Sequence, residues 1–146
     1  MVIDADTMAA VRRQLEADYP HEGCGLLVGR TMVDGEVFVT DRVPVQNVRL
    51  GDEAASTRYL ISPEDFRCAD TRAAAAGDEV IGVYHSHPDV GPFPSDYDRE
   101  HAWPWFHYLI VSVKAGLVGE ERVWQLLDDR SSFVEQDLNL KESKCL

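Results

Sequence analysis

Apolar residues nowhere run for the ~20 consecutive positions that a bilayer-crossing helix requires, so no transmembrane segment is expected. The opening residues, MVIDADTMAAVRRQ, lack the cationic start and apolar stretch of a secretion signal, and a cytoplasmic location is the expectation. Basic residues are scarce. Fourteen Lys and Arg stand against 26 Asp and Glu, giving a formal net charge of -12 spread along the chain. Such a field repels phosphate backbones and anionic headgroups, which argues against nucleic acid and membrane surfaces as partners. Cysteines number three, Cys24, Cys68 and Cys145, with no C-x-x-C pair. An odd count without that spacing argues against a disulfide framework and for reduced thiols. Repeats, low-complexity segments and linkers are also missing, so residues 1–146 read as one domain, a length that buries roughly 70% of its unfolded surface.

What is present alternates between two periodicities. Met8, Val11, Leu15 and Tyr19 recur at helical spacing until Pro20, predicting an amphipathic helix that leaves Glu22 at its far end. The β-rich stretches CGLLVG and EVFVTDRVPV flank a turn signal at Asp34-Gly35 and predict a hairpin. Residues 48–57 read as a loop and RYLIS as a short strand. Ser62 as cap, Pro63 at the first helical position and Asp65 three residues past the cap then predict a helix ending at Gly77. EVIGVYHSHP and Phe106–Val113 read as buried strands, and RVWQLLDD and SSFVEQD complete the sheet. Between the first two, the polar loop DVGPFPSDYD runs into a short helix that Pro104 must end. Strands interleaved with helices predict a single α/β domain.

The chemistry gathers at the end of the EVIGVYHSHP strand. His85 and His87 project to the same side of an extended chain, about 6.7 Å apart along it, so two imidazoles can converge on one metal. Ser95 suits a helix cap and Asp98 its first turn, on an element able to fold back toward the histidines. Two histidines, one carboxylate and an open position describe a catalytic zinc site; a structural site is closed by a fourth protein ligand. Taken alone, Ser95 and Asp98 read first as a plain capping pair, and Glu22 as a solvated surface charge. His21-Glu22 does not begin an H-E-x-x-H motif, because position 25 is glycine.

With Glu22 ahead of H85-S-H87, then PDVGPFP, then S95-D-Y-D98, the sequence resembles the JAMM metalloproteases of the MPN superfamily, without departure in spacing. HEGCGLLVG, RYLISPEDF, IGVYHSHPD and YLIVSV also resemble the compact bacterial members, from about residue 8 to 135. The resemblance implies an MPN/JAB, cytidine-deaminase-like fold: a mixed central sheet flanked by helices. It implies one Zn2+ per chain held by His85, His87 and Asp98, which lowers the pKa of its water toward about 7. Glu22 is then the general base and Ser95 the oxyanion donor. The implied substrate is a ubiquitin-like sulfur-carrier protein, hydrolysed at a peptide or isopeptide bond at its C-terminal Gly-Gly tail. The alternatives are a deconjugating peptidase of a bacterial ubiquitin-like defence pathway and a non-catalytic MPN scaffold.

Other residues carry rival readings. Cys24 lies close to Glu22, but the apolar CGLLVG setting favours a buried, inert thiol over a nucleophile. His101 shares a helix face with Asp98 and is either a further ligand or an exposed helix-end group. His107, at the start of an apolar strand, suits packing or a surface edge better than metal. Trp103 and Trp105 flank Pro104, and packing is expected of them ahead of lining a substrate groove.

Overall fold

The computed structural model describes residues 1–48 and 58–143. In chain order the elements are β1 (Val2–Asp4), α1 (Ala5–Asp18), β2 (Cys24–Thr31), β3 (Val37–Val45), α2 (Pro63–Ala75), β4 (Glu79–Pro88), α3 (Asp96–His101), β5 (His107–Lys114), β6 (Leu117–Leu126), β7 (Phe133–Gln136) and β8 (Asn139–Lys141). The strands form one eight-stranded sheet in the order β7-β6-β5-β4-β2-β3-β1-β8. It is mixed: β4 runs parallel to β5, and β1 parallel to both β3 and β8, while the other pairs are antiparallel. The predicted α/β class and the implied sheet flanked by helices both hold.

Each helix starts where its sequence signals. Asp4 caps α1 by accepting a 2.9 Å hydrogen bond from the Thr7 amide, and Ser62 caps α2 through the Asp65 amide. The helical stripe Met8, Val11 and Leu15 is fully buried. It packs with Leu27, Ile81, Leu109, Val111 and Val123 on one face of the sheet. On the other face, Ala69 and Ala73 of α2 meet Leu26, Val28, Val80, Val83 and Tyr108. Neighbours such as Leu26 and Leu27 thus serve opposite cores, as the two-residue period of a strand requires. Burying each such side chain contributes about 1.5–3 kcal/mol, so both sides of β2, β4 and β5 are held rigid.

Three segments depart from the prediction. RYLIS forms no strand: residues 58–62 lack ladder pairing. Their polar backbone is satisfied elsewhere, because Asn47 accepts from the Leu60 amide and donates to the Arg58 carbonyl, while the Val48 amide bonds the Leu60 carbonyl. The short strands β1 and β8 were not anticipated, since three residues are too few to display a period. Of the predicted loop 48–57, all but Val48 lies outside the described residues.

Candidate metal centre

β4 is an inner strand, with His85 opposite Cys24 of β2 and Ile110 of β5, and His87 opposite Ser112 of β5. Pairing on both sides fixes its backbone, so His85 and His87 leave one face of a rigid strand. Their Nε2 atoms approach to 3.2 Å. From α3, Asp98 completes the group: Oδ1 lies 3.2 Å from His85 Nε2 and Oδ2 lies 3.1 Å from His87 Nε2. Tetrahedral coordination at about 2.0–2.1 Å separates ligand atoms by roughly 3.3 Å, and the two imidazoles stand at about that distance from each other and each from one of the two Asp98 oxygens. Glu22 offers a carboxylate oxygen within 4.8 Å of a donor on each histidine. Two carboxylates therefore flank the imidazole pair. Asp98 makes the direct contacts, while Glu22 stands back with Oε2 lacking a hydrogen-bond partner among the described residues.

The surrounding contacts orient these donors. His87 Nδ1 lies 2.9 Å from the Gly91 carbonyl, which accepts its proton, fixes the ring and leaves Nε2 facing the cluster. Tyr59 stacks on His85 with ring centroids 4.4 Å apart. The Ser95 hydroxyl accepts from the Asp98 amide at 3.1 Å, and Asp98 Oδ2 accepts from the Ser95 amide at 2.8 Å. This reciprocal capping box aims the Asp98 carboxylate and leaves the Ser95 hydroxyl proton free to donate. The plain capping reading and the site reading of Ser95 and Asp98 thus describe one arrangement. Glu22 is held through its backbone: Asn47 donates to its carbonyl at 3.0 Å, and the next residue, Gly23, exchanges hydrogen bonds with Ser86.

All four clustered side chains are buried: His85 0%, Glu22 3%, Asp98 5% and His87 7% exposed. Burial raises the Glu22 pKa to about 8, with the charge of His87 opposing. It also lowers His85, against the pull of Asp98. For His87 burial acts downward too, but the hydrogen bond and charge of Asp98 prevail and the pKa rises. Asp98 is held well below the usual carboxylate range, because His85, His87 and the Ser95 amide outweigh its own desolvation. Opposed displacement of two neighbouring carboxyls is a recurrent feature of catalytic sites.

The chain matches the family model described as prokaryotic homologs of the JAB domain over residues 4–127. The chain belongs to this prokaryotic JAB family. Among curated relatives, the desampylase of Haloferax volcanii is 36% identical over 115 residues, covering 78% of each chain. A solution structure of a Salinibacter ruber protein superposes with a TM-score of 0.75 at 37% identity, covering 97% of this chain and 92% of that one. A JAB1/MPN domain protein from Archaeoglobus fulgidus shares the fold, with a TM-score of 0.59 at 16% identity over 96% of this chain and 98% of that one. This JAB-family chain is a homologue of the JAMM metalloproteases, with a buried Glu/His/His cluster.

The rival residues sort themselves in space. Cys24 is buried, and desolvation with nearby carboxylates pushes its thiol up to about 12, which leaves it inert at neutral pH. His101 is exposed, stacks on Tyr97 and stays out of the cluster. His107 pairs opposite Gly82 at the other end of β5, where burial lowers its pKa. The packing expected of the tryptophans holds in part: Trp103 packs edge-on against Phe66 and Phe106, and Trp105 edge-on against Phe106, yet both are exposed, at 44% and 67%. Sequence reasoning missed Asn47, Tyr59, Ser86 and Gly91. Of these, only the serine between two histidines carried a local signal.

Proposed function

We propose that this chain is a zinc-dependent peptidase that hydrolyses the bond after the C-terminal Gly-Gly tail of a ubiquitin-like protein of the sulfur-carrier type. The observation that carries the reading is the convergence of His85, His87 and Asp98 at 3.1–3.2 Å beside the buried, unpartnered Glu22 oxygen. In this reading His85, His87 and Asp98 hold Zn2+, which when bound supplies a Lewis acid and a water acidified toward neutral pH. Glu22 takes a proton from the attacking water and delivers it to the departing amine, a task for which a buried carboxyl without a hydrogen-bond partner beside the cluster is suited. The Ser95 hydroxyl donates to the oxyanion that forms at the scissile carbonyl.

The desampylase relative supports a ubiquitin-like substrate. A scaffold without catalysis is disfavoured, since a non-catalytic chain has no need of a complete donor set with an unpartnered carboxylate beside it.

Zinc content by elemental analysis, measured on the wild type beside His87→Ala, tests the metal. About one zinc per chain, lost in the variant, is expected, and no uptake by the wild type would sink the metal reading. Small β-grasp carriers extended beyond Gly-Gly then test the substrate. Carriers left intact by zinc-loaded enzyme would reject that class.

A further inference from the structure

α3 carries Asp98, yet little in the helix itself holds it in place. It is six residues long, and Asp98 is the only one of them that is buried. Isolated helices shorter than about 12–15 residues are marginal in water, and α3 has no buried apolar side chain of the kind that packs α1 and α2 on the sheet. Polar contacts must therefore fix it. At its start stand the Ser95 capping box and the Tyr97 hydroxyl, which donates to the Tyr59 carbonyl at 3.0 Å. Its far end is held from the turn between β6 and β7. There the Arg130 guanidinium donates through Nη1 to the Ala102 carbonyl at 2.7 Å, and through Nη2 to the carbonyls of Arg99 at 2.9 Å and Glu100 at 3.2 Å.

The backbone at Arg130 points the same way. Its φ of 62° is a left-handed conformation that costs an L side chain and suits glycine. The turn closes without the side chain: the Arg130 amide donates to the Leu127 carbonyl at 2.8 Å, the Leu127 amide to the Ser132 carbonyl at 2.9 Å, and Asp129 accepts from the Ser131 amide. What a glycine would lack is the guanidinium on α3. Its planar fork serves several fixed acceptors at once, and its charge complements the negative end of a helix. Asp98 lies one turn before Ala102. Tilting a helix by roughly 10° about its first residue moves a residue three positions on by about 0.8 Å, beyond the ~0.2 Å tolerance of a metal–ligand distance. The contacts of Asp98 with both imidazoles therefore depend on the far end of α3 staying in place.

Resting on the zinc reading above, we infer that Arg130 is a positioning residue for the metal: by holding the C-terminal end of α3, its guanidinium sets the Asp98 carboxylate against His85 and His87. Zinc affinity is thereby coupled to the β6–β7 turn, which supplies no ligand itself.

The test compares the full chain as wild type, Arg130→Gly and Arg130→Lys. Zinc affinity is read by competition with a chromophoric chelator, ligand geometry by the visible absorption of the cobalt-loaded protein, and α3 by amide hydrogen exchange after chelation. Arg130→Gly is expected to weaken zinc binding roughly tenfold, the low end of the range for a lost outer contact at a metal site, because the side chain is exposed. It should also change the cobalt spectrum. In the metal-free variant the α3 amides should exchange at least about tenfold faster, with the thermal midpoint unchanged or raised, since glycine suits this backbone. Arg130→Lys should recover part of the affinity, because an ammonium donates without the fork. Wild-type zinc affinity and an unchanged cobalt spectrum in Arg130→Gly would overturn the inference. Faster exchange spread through β4 and β5 would also overturn it, being the mark of a general loosening. Either result leaves the wild type's own zinc in place, whereas a wild type that takes up no zinc rejects the peptidase reading.

Discussion

At the scale of single residues, Glu22 is where burial and chemistry meet. Its pKa is raised, so folding favours its protonated form; the carboxylate costs nothing below the unfolded value of 4.5, and its cost grows until pH passes about 8. In chelator-treated protein, Glu22→Gln should therefore leave stability unchanged at pH 4 and raise it at pH 8 and above, by on the order of a few kcal/mol. Thermal melts across that range check the sign, and stabilisation at acid pH alone would contradict it. With zinc present the same variant should keep its metal and lose about 10²–10⁴ in kcat, read by turnover beside elemental analysis. Retained turnover would remove Glu22 from the role of base. The residue type and its place after α1 were legible in the sequence, whereas its burial was not, because an isolated glutamate ordinarily points to solvent.

Among the elements, β4 and the segment after β3 decide whether the site assembles. Asn47 joins three backbone groups, on Glu22, Arg58 and Leu60. Asn47→Ala leaves these buried groups unpaired at about 1–3 kcal/mol. It should lower kcat with zinc retained, since the ligands do not depend on it; loss of zinc in this variant would show a wider collapse. Gly82 in β4 meets β5 so closely that an added Cβ would stand 2.1 Å from the His107 carbonyl oxygen. Gly82→Ala should part the parallel β4–β5 pair and destabilise by about 1–3 kcal/mol or more, with the change in denaturation midpoint as the measure. A neutral result would mean that the strands separate freely at that point. The Ser62 and Ser95 caps and the amphipathic stripe of α1 could be read in sequence because they are local signals. RYLIS could not, because its fate rests on a side chain eleven or more positions away.

Across the whole molecule, the proposed metal ligands come from β4 and α3, and Glu22 from the turn after α1, so a bound ion would tie together elements distant in the chain. Binding to the folded state alone stabilises by about 2.7 kcal/mol at a hundredfold excess over Kd. Chelation should accordingly lower Tm by on the order of 5–10 °C, and zinc should restore it. A Tm indifferent to both would mean that the cluster binds no ion in the folded protein. Among the described residues no helix is long and apolar enough to cross a membrane.

The sequence by itself determined the α/β class, most elements, and the identity and spacing of Glu22, His85, His87, Ser95 and Asp98, because periodicity, capping and motif spacing are properties of neighbouring residues. Only the tertiary structure decided that β4 lies between β2 and β5 and that Asp98 reaches both imidazoles within 3.2 Å. Those outcomes depend on contacts between segments distant in the chain, whose geometry is set when the two cores close on opposite faces of one sheet.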